Sequence, residues 1–282
     1  MNLLKYIFIN LKHTKQMMIE FIEYFCALLI GIVLGLTGGG GYILTVPVLV
    51  YILNFNPIIA SSYSLFIVGM TSLFGTLINF KKGKIVLKTS LLFAIPSLIS
   101  VYITRKYIVH KIPEIFIQNS YFTITKDLFL MVLFAVVMFY AALSMLRTPK
   151  KPSTEAIEQK QNLFLITVQI FCVGILIGFI GAGGGFLIIP ALFHFAKLPI
   201  KKAIGTSLFI ISANSLIGFS GDVQNINIDW DFLFSFASVA MFGVFVGIYL
   251  SRFLNELGLK KIFGWFVLTM AIFILTKEIL FY

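Results

Sequence analysis

The sequence predicts an all-α polytopic membrane protein made of two homologous repeats. Each repeat holds about five helical segments, including a short helix broken by glycine and proline. Three observations predict this class. First, the 282-residue chain is 59% hydrophobic and only 12% charged, with a mean hydropathy of +1.00. Soluble domains carry about 25% charged residues, and a soluble chain of this length could not hide so much apolar surface, whereas a bilayer solvates it directly. Second, the apolar residues form continuous runs rather than the short alternating segments of a β-barrel. Third, an ordered set of Gly, Pro and Ser occurs twice.

Taken in order, residues 1–20 mix Lys5, Lys12 and Lys15 with Leu3, Leu4, Ile7, Phe8 and Leu11. No small-residue cleavage site follows, so the segment reads as an interfacial amphipathic helix and not a signal peptide. Residues 21–146 form the first membrane repeat, with apolar stretches at 21–37, 42–54, 61–80, 86–105 and 127–146. Residues 147–162 are polar, rich in Lys and Pro, and read as the linker. Residues 163–282 form the second repeat, with stretches at 163–180, 186–196, 203–220, 231–252 and 261–281. A span needs about 20 residues, or about 17 at the short limit. The stretches 42–54 and 186–196 fall below that limit, and each follows a glycine cluster and contains a proline.

The two copies align without gaps across their first parts. Gly35, Gly38, Gly40, Gly41, Leu44 and Pro47 match Gly178, Gly181, Gly183, Gly184, Leu187 and Pro190 at a constant offset of 143 (190 − 47). The same offset pairs Gly31 with Gly174, Ala60 with Ala203, Ser64 with Ser207, Ser72 with Ser215 and Gly75 with Gly218. Arg105 matches Arg252 after a small length difference. Common apolar composition explains paired Leu and Phe but not ordered Gly, Pro and Ser. If each glycine cluster turns the chain back as a hairpin, each repeat makes an odd number of passes and the copies are inverted. If the cluster only kinks one long helix, the copies are parallel. The inverted scheme gathers Lys81, Lys82, Lys84, Lys88, Lys150, Lys151, Lys197, Lys201, Lys202, Lys260 and Lys261 on one side and Asp222, Asp229 and Asp231 on the other. That distribution follows the positive-inside rule, with the basic N-terminus and the mixed 105–126 loop as exceptions, and favours inversion. The net charge of +11 is therefore read as topology rather than as nucleic-acid binding.

The glycine clusters are the first candidates for chemistry. Glycine runs break helices and let backbones approach closely. The N–H groups opening the next helix lack intrahelical partners and can receive a small anion. Short Gly/Pro-interrupted segments at matching places in two halves point to a transporter's substrate site. This makes Gly38, Gly39, Gly40, Gly41, Gly181, Gly183, Gly184 and Gly185 candidate substrate-binding residues. The outer pairs Gly31/Gly35, Gly174/Gly178 and Gly243/Gly247 have the spacing of close helix packing. Hydroxyl-bearing helix starts, with Ser64 in one copy and Thr206 and Ser207 in the other, serve either as caps or as donors to an anion. Asn214 extends the same polar stripe.

Ionisable residues offer little. Glu20, Glu23 and Asp222 lie near segment ends, where an interfacial position is the default. Arg105 and Arg252 read as helix-end anchors, with an anion-attracting entrance as the alternative. His194 reads as a packing residue. Cys26 and Cys172 read as small apolar residues with no disulfide or metal. No metal-ligand cluster, nucleophile set, paired catalytic carboxylates or ATPase motif stands out, so no cofactor and no enzyme activity are expected.

The pattern Gly-x-x-Gly-x-Gly-Gly, an apolar run, Pro, and then Ala-x-Gly-Thr-Ser-Leu resembles the sulfite exporter TauE/SafE family, also called the DUF81 or TSUP permeases. Gly181, Gly183, Gly184, Pro190, Pro199, Ala203, Gly205, Thr206 and Ser207 carry it most completely. The first copy carries Gly38, Gly40, Gly41, Pro47, Pro57, Ala60 and Ser64, but has Ser62-Tyr63 where the second has Gly205-Thr206. The resemblance implies a bacterial-type inner-membrane permease in the lipid bilayer, moving a small anionic substrate such as sulfite or an organosulfonate by alternating access. A passive channel and a non-transporting assembly protein are the alternatives, and a homo-oligomer is left open.

Overall fold

A computed structural model describes residues 2–37, 41–118, 123–146, 163–181, 183–185, 187–189, 192, 196, 198, 200–250, 253 and 256–280. Gly38, Gly39, Gly40, the linker 147–162, Pro190, His194, Pro199 and Arg252 lie outside the described residues. The helices are α1 (Asn2–Thr37), α2 (Thr45–Pro47), α3 (Pro57–Lys81), α4 (Leu87–Ile103), α5 (Lys126–Leu146), α6 (Leu163–Ile180), α7 (Ile200–Asp222), α8 (Trp230–Leu250) and α9 (Glu256–Leu280). Among the described residues, six helices are long and apolar enough to cross a membrane, and Tyr42–Ile52 and Phe164–Ile180 form shorter apolar helices. Large side chains such as Phe164, Phe242 and Trp265 face outward, as a lipid-bathed surface requires.

Local chemistry explains the main boundaries. Asn54 takes a positive φ of 57°, a conformation that asparagine tolerates in turns. Asn56 then caps α3: its Oδ1 accepts from the Ile58 N–H at 2.9 Å, and Pro57 occupies the first helical position. The segment Gly41–Ile52 is no regular helix. A 3-10 turn (Gly41–Leu44) leads into α2 and then a π turn (Val48–Ile52). A second π turn (Thr104–Ile108) continues α4, below the internal Pro96, and ends in a 3-10 turn (Val109–Lys111). Such turns re-aim side chains and recur at functional sites.

Three details differ from the sequence expectation. Helix α1 is continuous through residues 2–20 and into the membrane stretch, whose apolar part is Glu20–Thr37. The stretch between α4 and α5 holds a small antiparallel hairpin, β1 (Ile115–Gln118) with β2 (Thr123–Thr125), because its β-branched residues lack helical periodicity. Arg105 and Asp222 are not at the protein surface: both are fully buried against other helices, at one end of the molecule.

Contacts between the halves come in exchange-related pairs. Helix α1 packs on α8 and α6 on α4; α3 packs on α8 and α7 on α4. Helices α3 and α7 pack on each other, as do α5 and α9. Glycines make the closest approaches. Gly31 lies against Ala240 and Gly243, and Gly35 against Val244, Gly247 and Ile248, so α1 and α8 run parallel in backbone contact. Gly174 meets Ser97 and Ser100, and Gly178 meets Thr104, so α6 and α4 are likewise parallel. Small residues are what permit this approach in a lipid environment. By contrast, Gly218 meets Leu65, Gly69 meets Leu216 and Gly75 meets Leu208, so α3 and α7 are antiparallel.

Helices α3 and α7 occupy equivalent positions in the two sequence copies. An antiparallel pair of equivalent helices is what an axis in the membrane plane produces. The basic 82–86 turn therefore shares one end of the molecule with the start of α7, where Thr206 and Gly205 touch Val86 and Lys84. Asp222 and Asp229 lie at the other end, beside Ser62 and Tyr63 at the start of α3.

Candidate functional site

A stripe of buried polar residues, hydroxyl-bearing except for Asn214, runs along α3, α4 and α7 from one end of the molecule to the other. Ser61, Ser62, Ser64, Thr71, Ser72, Ser97, Ser100, Thr206, Ser207, Asn214 and Ser215 are all buried. Most are engaged. Thr71 and Ser97 donate to carbonyls three and four residues back in their own helices, the usual fate of such side chains in helices. The Asn214 side chain bonds the Ser97 hydroxyl across the α7–α4 contact at 2.9 Å. Thr206 Oγ1 accepts from the Val86 N–H at 3.1 Å and so holds the start of α4. Ser207 Oγ donates to the Ile204 carbonyl at 2.8 Å. Two hydroxyls of the stripe, Ser64 and Ser215, are buried without a hydrogen-bond partner among the described residues.

The second glycine cluster enters this polar stripe. Gly181, Gly183 and Gly184 take φ of +70°, +65° and +66°, and Gly185 is helical. Three positive φ angles so close together are accessible only to glycine at low cost. Space demands glycine as well. A Cβ on Gly183 would overlap Val68 of α3 and stand 2.9 Å from Ser215 Oγ of α7, and one on Gly184 would overlap Ile177. The break thus lies between α3 and α7, where the two halves meet. In the first copy, Gly41 opens the 3-10 turn and Tyr42 fills the matching place, its hydroxyl accepting from Ser72 Oγ at 2.7 Å. Ser72 is the counterpart of Ser215. One copy pairs its serine with a tyrosine; the other leaves it without a hydrogen-bond partner among the described residues, packed beside glycine.

A buried charge cluster, which the sequence reading placed at the interface, lies against the same break. Arg105 Nη1 contacts Asp222 Oδ2 at 3.2 Å and donates to Ser61 Oγ at 3.0 Å. Ser62 Oγ donates to Asp222 Oδ2 at 2.6 Å, and His110 Nε2 lies 2.8 Å from Asp222 Oδ1. A Cβ on Gly181 would overlap Arg105 Nη2 and Ser61. Lys126, at the start of α5, lies within electrostatic range of both charges, with Asp127 and Glu114 beside it. Sequence reasoning missed this cluster because Arg105 and Asp222 stand 117 residues apart (222 − 105) and near segment ends. One signal was present. At the repeat offset Asp222 replaces the neutral Asn79, and Ser61-Ser62 replace Ile204-Gly205, so the carboxylate and this hydroxyl pair occur in one copy only.

The family model of the sulfite exporter TauE/SafE matches residues 24–274. This chain belongs to the sulfite exporter TauE/SafE family. Its relatives include a probable membrane transporter protein of Xylella fastidiosa (strain 9a5c), 29% identical over 257 residues, covering 89% of this chain and 92% of the relative. The probable membrane transporter protein YunE of Bacillus subtilis (strain 168) is 27% identical over 244 residues, covering 80% of this chain and 86% of the relative. A probable membrane transporter protein of Methanocaldococcus jannaschii is 36% identical over 115 residues, covering 39% and 43% of the two chains. No solved structure matches. The TauE/SafE chain described here is thus a multi-pass membrane transporter.

Proposed function

We propose that this permease carries small sulfur oxyanions, sulfite or organosulfonates, across the membrane by alternating access between its two halves. The observation that carries this reading is the glycine break at residues 181–185. It lies between α3 and α7, with the buried, unpartnered hydroxyl of Ser215 beside Gly183 and a buried guanidinium against Gly181. Backbone N–H groups at such a break, hydroxyl donors and a nearby cation make a setting suited to an oxyanion. The family's name, sulfite exporter, supports sulfur oxyanions as the class. Gly183, Gly184 and Gly185 would supply the backbone donors of the site, with Ser64 and Ser215 the hydroxyl side; the Gly181 N–H is spent on the Ile177 carbonyl at 2.9 Å, so Gly181 serves by its close approach to Arg105. Thr206, Ser207 and Asn214 hold the helices that frame it.

Reconstituted protein in liposomes tests the reading through saturable efflux of radiolabelled sulfite from preloaded vesicles. Ser215→Ala should lower flux several-fold with little change in thermal stability, since the hydroxyl has no structural partner among the described residues. Flux that rises linearly with sulfite concentration would favour a channel instead. No flux of sulfite or methanesulfonate would overturn the reading.

A further inference from the structure

The geometry points to Arg105 as the residue that recognises the SO3 head group shared by sulfite and sulfonates. This rests on the anion-permease reading above and names a binding residue within it.

A guanidinium has two useful edges. In Arg105 the Nη1 donor is spent, facing Asp222 and Ser61. The other edge, Nε with Nη2, is buried and has no hydrogen-bond partner among the described residues. That edge carries two near-parallel N–H groups, the fork that grips a planar pair of oxygens bidentately. A buried charged donor left unsatisfied is costly, and native proteins rarely tolerate one without a functional reason. Here two such donors sit on one side chain. They stand where Nη2 meets Gly181, the residue at which α6 ends and the run of positive φ begins. A π turn, Thr104–Ile108, carries Arg105, so the helix is locally unwound at this position.

The surroundings hold the fork in place. Ser61 and Asp222 fix Nη1, and Ser62 and His110 fix Asp222. Asp222 neutralises the guanidinium while the site is empty. An arriving oxyanion meets a pre-oriented fork without displacing the carboxylate. Arg105 has Arg252 as its sequence counterpart, but the groups that hold it do not recur: the cluster lies at the Asp222/Asp229 end of the molecule, and Asn79 and Gly205 stand where Asp222 and Ser62 would be repeated. The opposite end offers no aspartate or serine at these positions.

The test separates recognition from mere ion pairing. Arg105→Lys keeps the charge facing Asp222 but removes the fork. Arg105→Gln with Asp222→Asn removes both charges and leaves hydrogen-bonding groups. Sulfite affinity is read from the concentration dependence of the thermal shift in detergent and from KM in liposomes. The expected result is at least a ten-fold weaker sulfite affinity in both variants, with maximal flux less affected than KM and the ligand-free melting temperature of the Lys variant close to wild type. Methanesulfonate should compete with sulfite in wild type, which marks the SO3 group as the recognised feature; competition by neither methanesulfonate nor sulfate would restrict the site to free sulfite and overturn the shared-head-group assignment. If either variant binds sulfite as wild type does, Arg105 is structural and the inference fails while the anion-permease reading stands. If wild type itself neither binds nor moves sulfite or methanesulfonate, both fail together.

Discussion

Arg105 and Asp222 are each fully buried, so each depends on the other. Removing one partner of a buried pair leaves an uncompensated charge and costs about 3–5 kcal/mol, whereas replacing both is often near neutral. Asp222→Asn alone should therefore lower the melting temperature in detergent markedly. Adding Arg105→Gln to it should restore much of the loss. A double variant as unstable as the single one would show that the pair's geometry, not its charge balance, holds this end of the molecule. Gly181→Ala belongs to the same scale. Its Cβ would overlap Arg105 Nη2 and Ser61 at a φ of +70°, so we expect a loss of about 1–3 kcal/mol from strain and overpacking. None of this was legible in the sequence. A charged residue near the end of an apolar run looks exposed at the interface, and only the chain packed across from it decides whether it is buried in the protein. The glycines were legible, because an ordered Gly cluster has few other uses than a turn or a close approach.

At the scale of elements, glycine–glycine contact sets the distance between α1 and α8. Gly31 and Gly243 lie Cα to Cα, as do Gly35 and Gly247, and the added Cβ would strike backbone in every case. Backbone cannot yield as a flexible side chain does, so Gly243→Leu should force the helices apart. The expected outcome is a cost of about 1–3 kcal/mol or more, seen as lower yield and a lower melting temperature. Gly83→Ala, in the open turn after α3, should do far less. That turn has space around it, and only its φ of +63° opposes a side chain. The spacing of these glycines in sequence already distinguished packing from breaking: i, i+4 pairs inside apolar runs lie on one helix face. What the spacing could not say was the partner. Gly31 pairs with a helix of the other half, more than 200 residues away (243 − 31).

At the scale of the whole molecule, the antiparallel packing of α3 on α7 makes a topological prediction. In a background with Cys26 and Cys172 replaced by alanine, single cysteines at Lys82 and Asn225 should react with an impermeant maleimide from opposite sides of the membrane. Lys82 should be cytoplasmic, because the basic turns gather at its end. Labelling of both from the same side would contradict the packing of α3 and α7 as described.

The sequence by itself determined the class and the helices, and it supplied the paired Gly, Pro and Ser pattern. The first two follow from the solvent: continuous apolar runs satisfy their backbone groups in lipid as helices. The tertiary structure alone decided which serines stay open and how the copies face each other, and it decided that a guanidinium is buried beside the second glycine break. The facing of the copies and the buried guanidinium depend on contacts between residues more than 100 positions apart, as in Arg105 with Asp222, and the serines on contacts about 30 apart, as in Ser72 with Tyr42. The energy of a buried charge is set by what surrounds it in space, not by its neighbours along the chain.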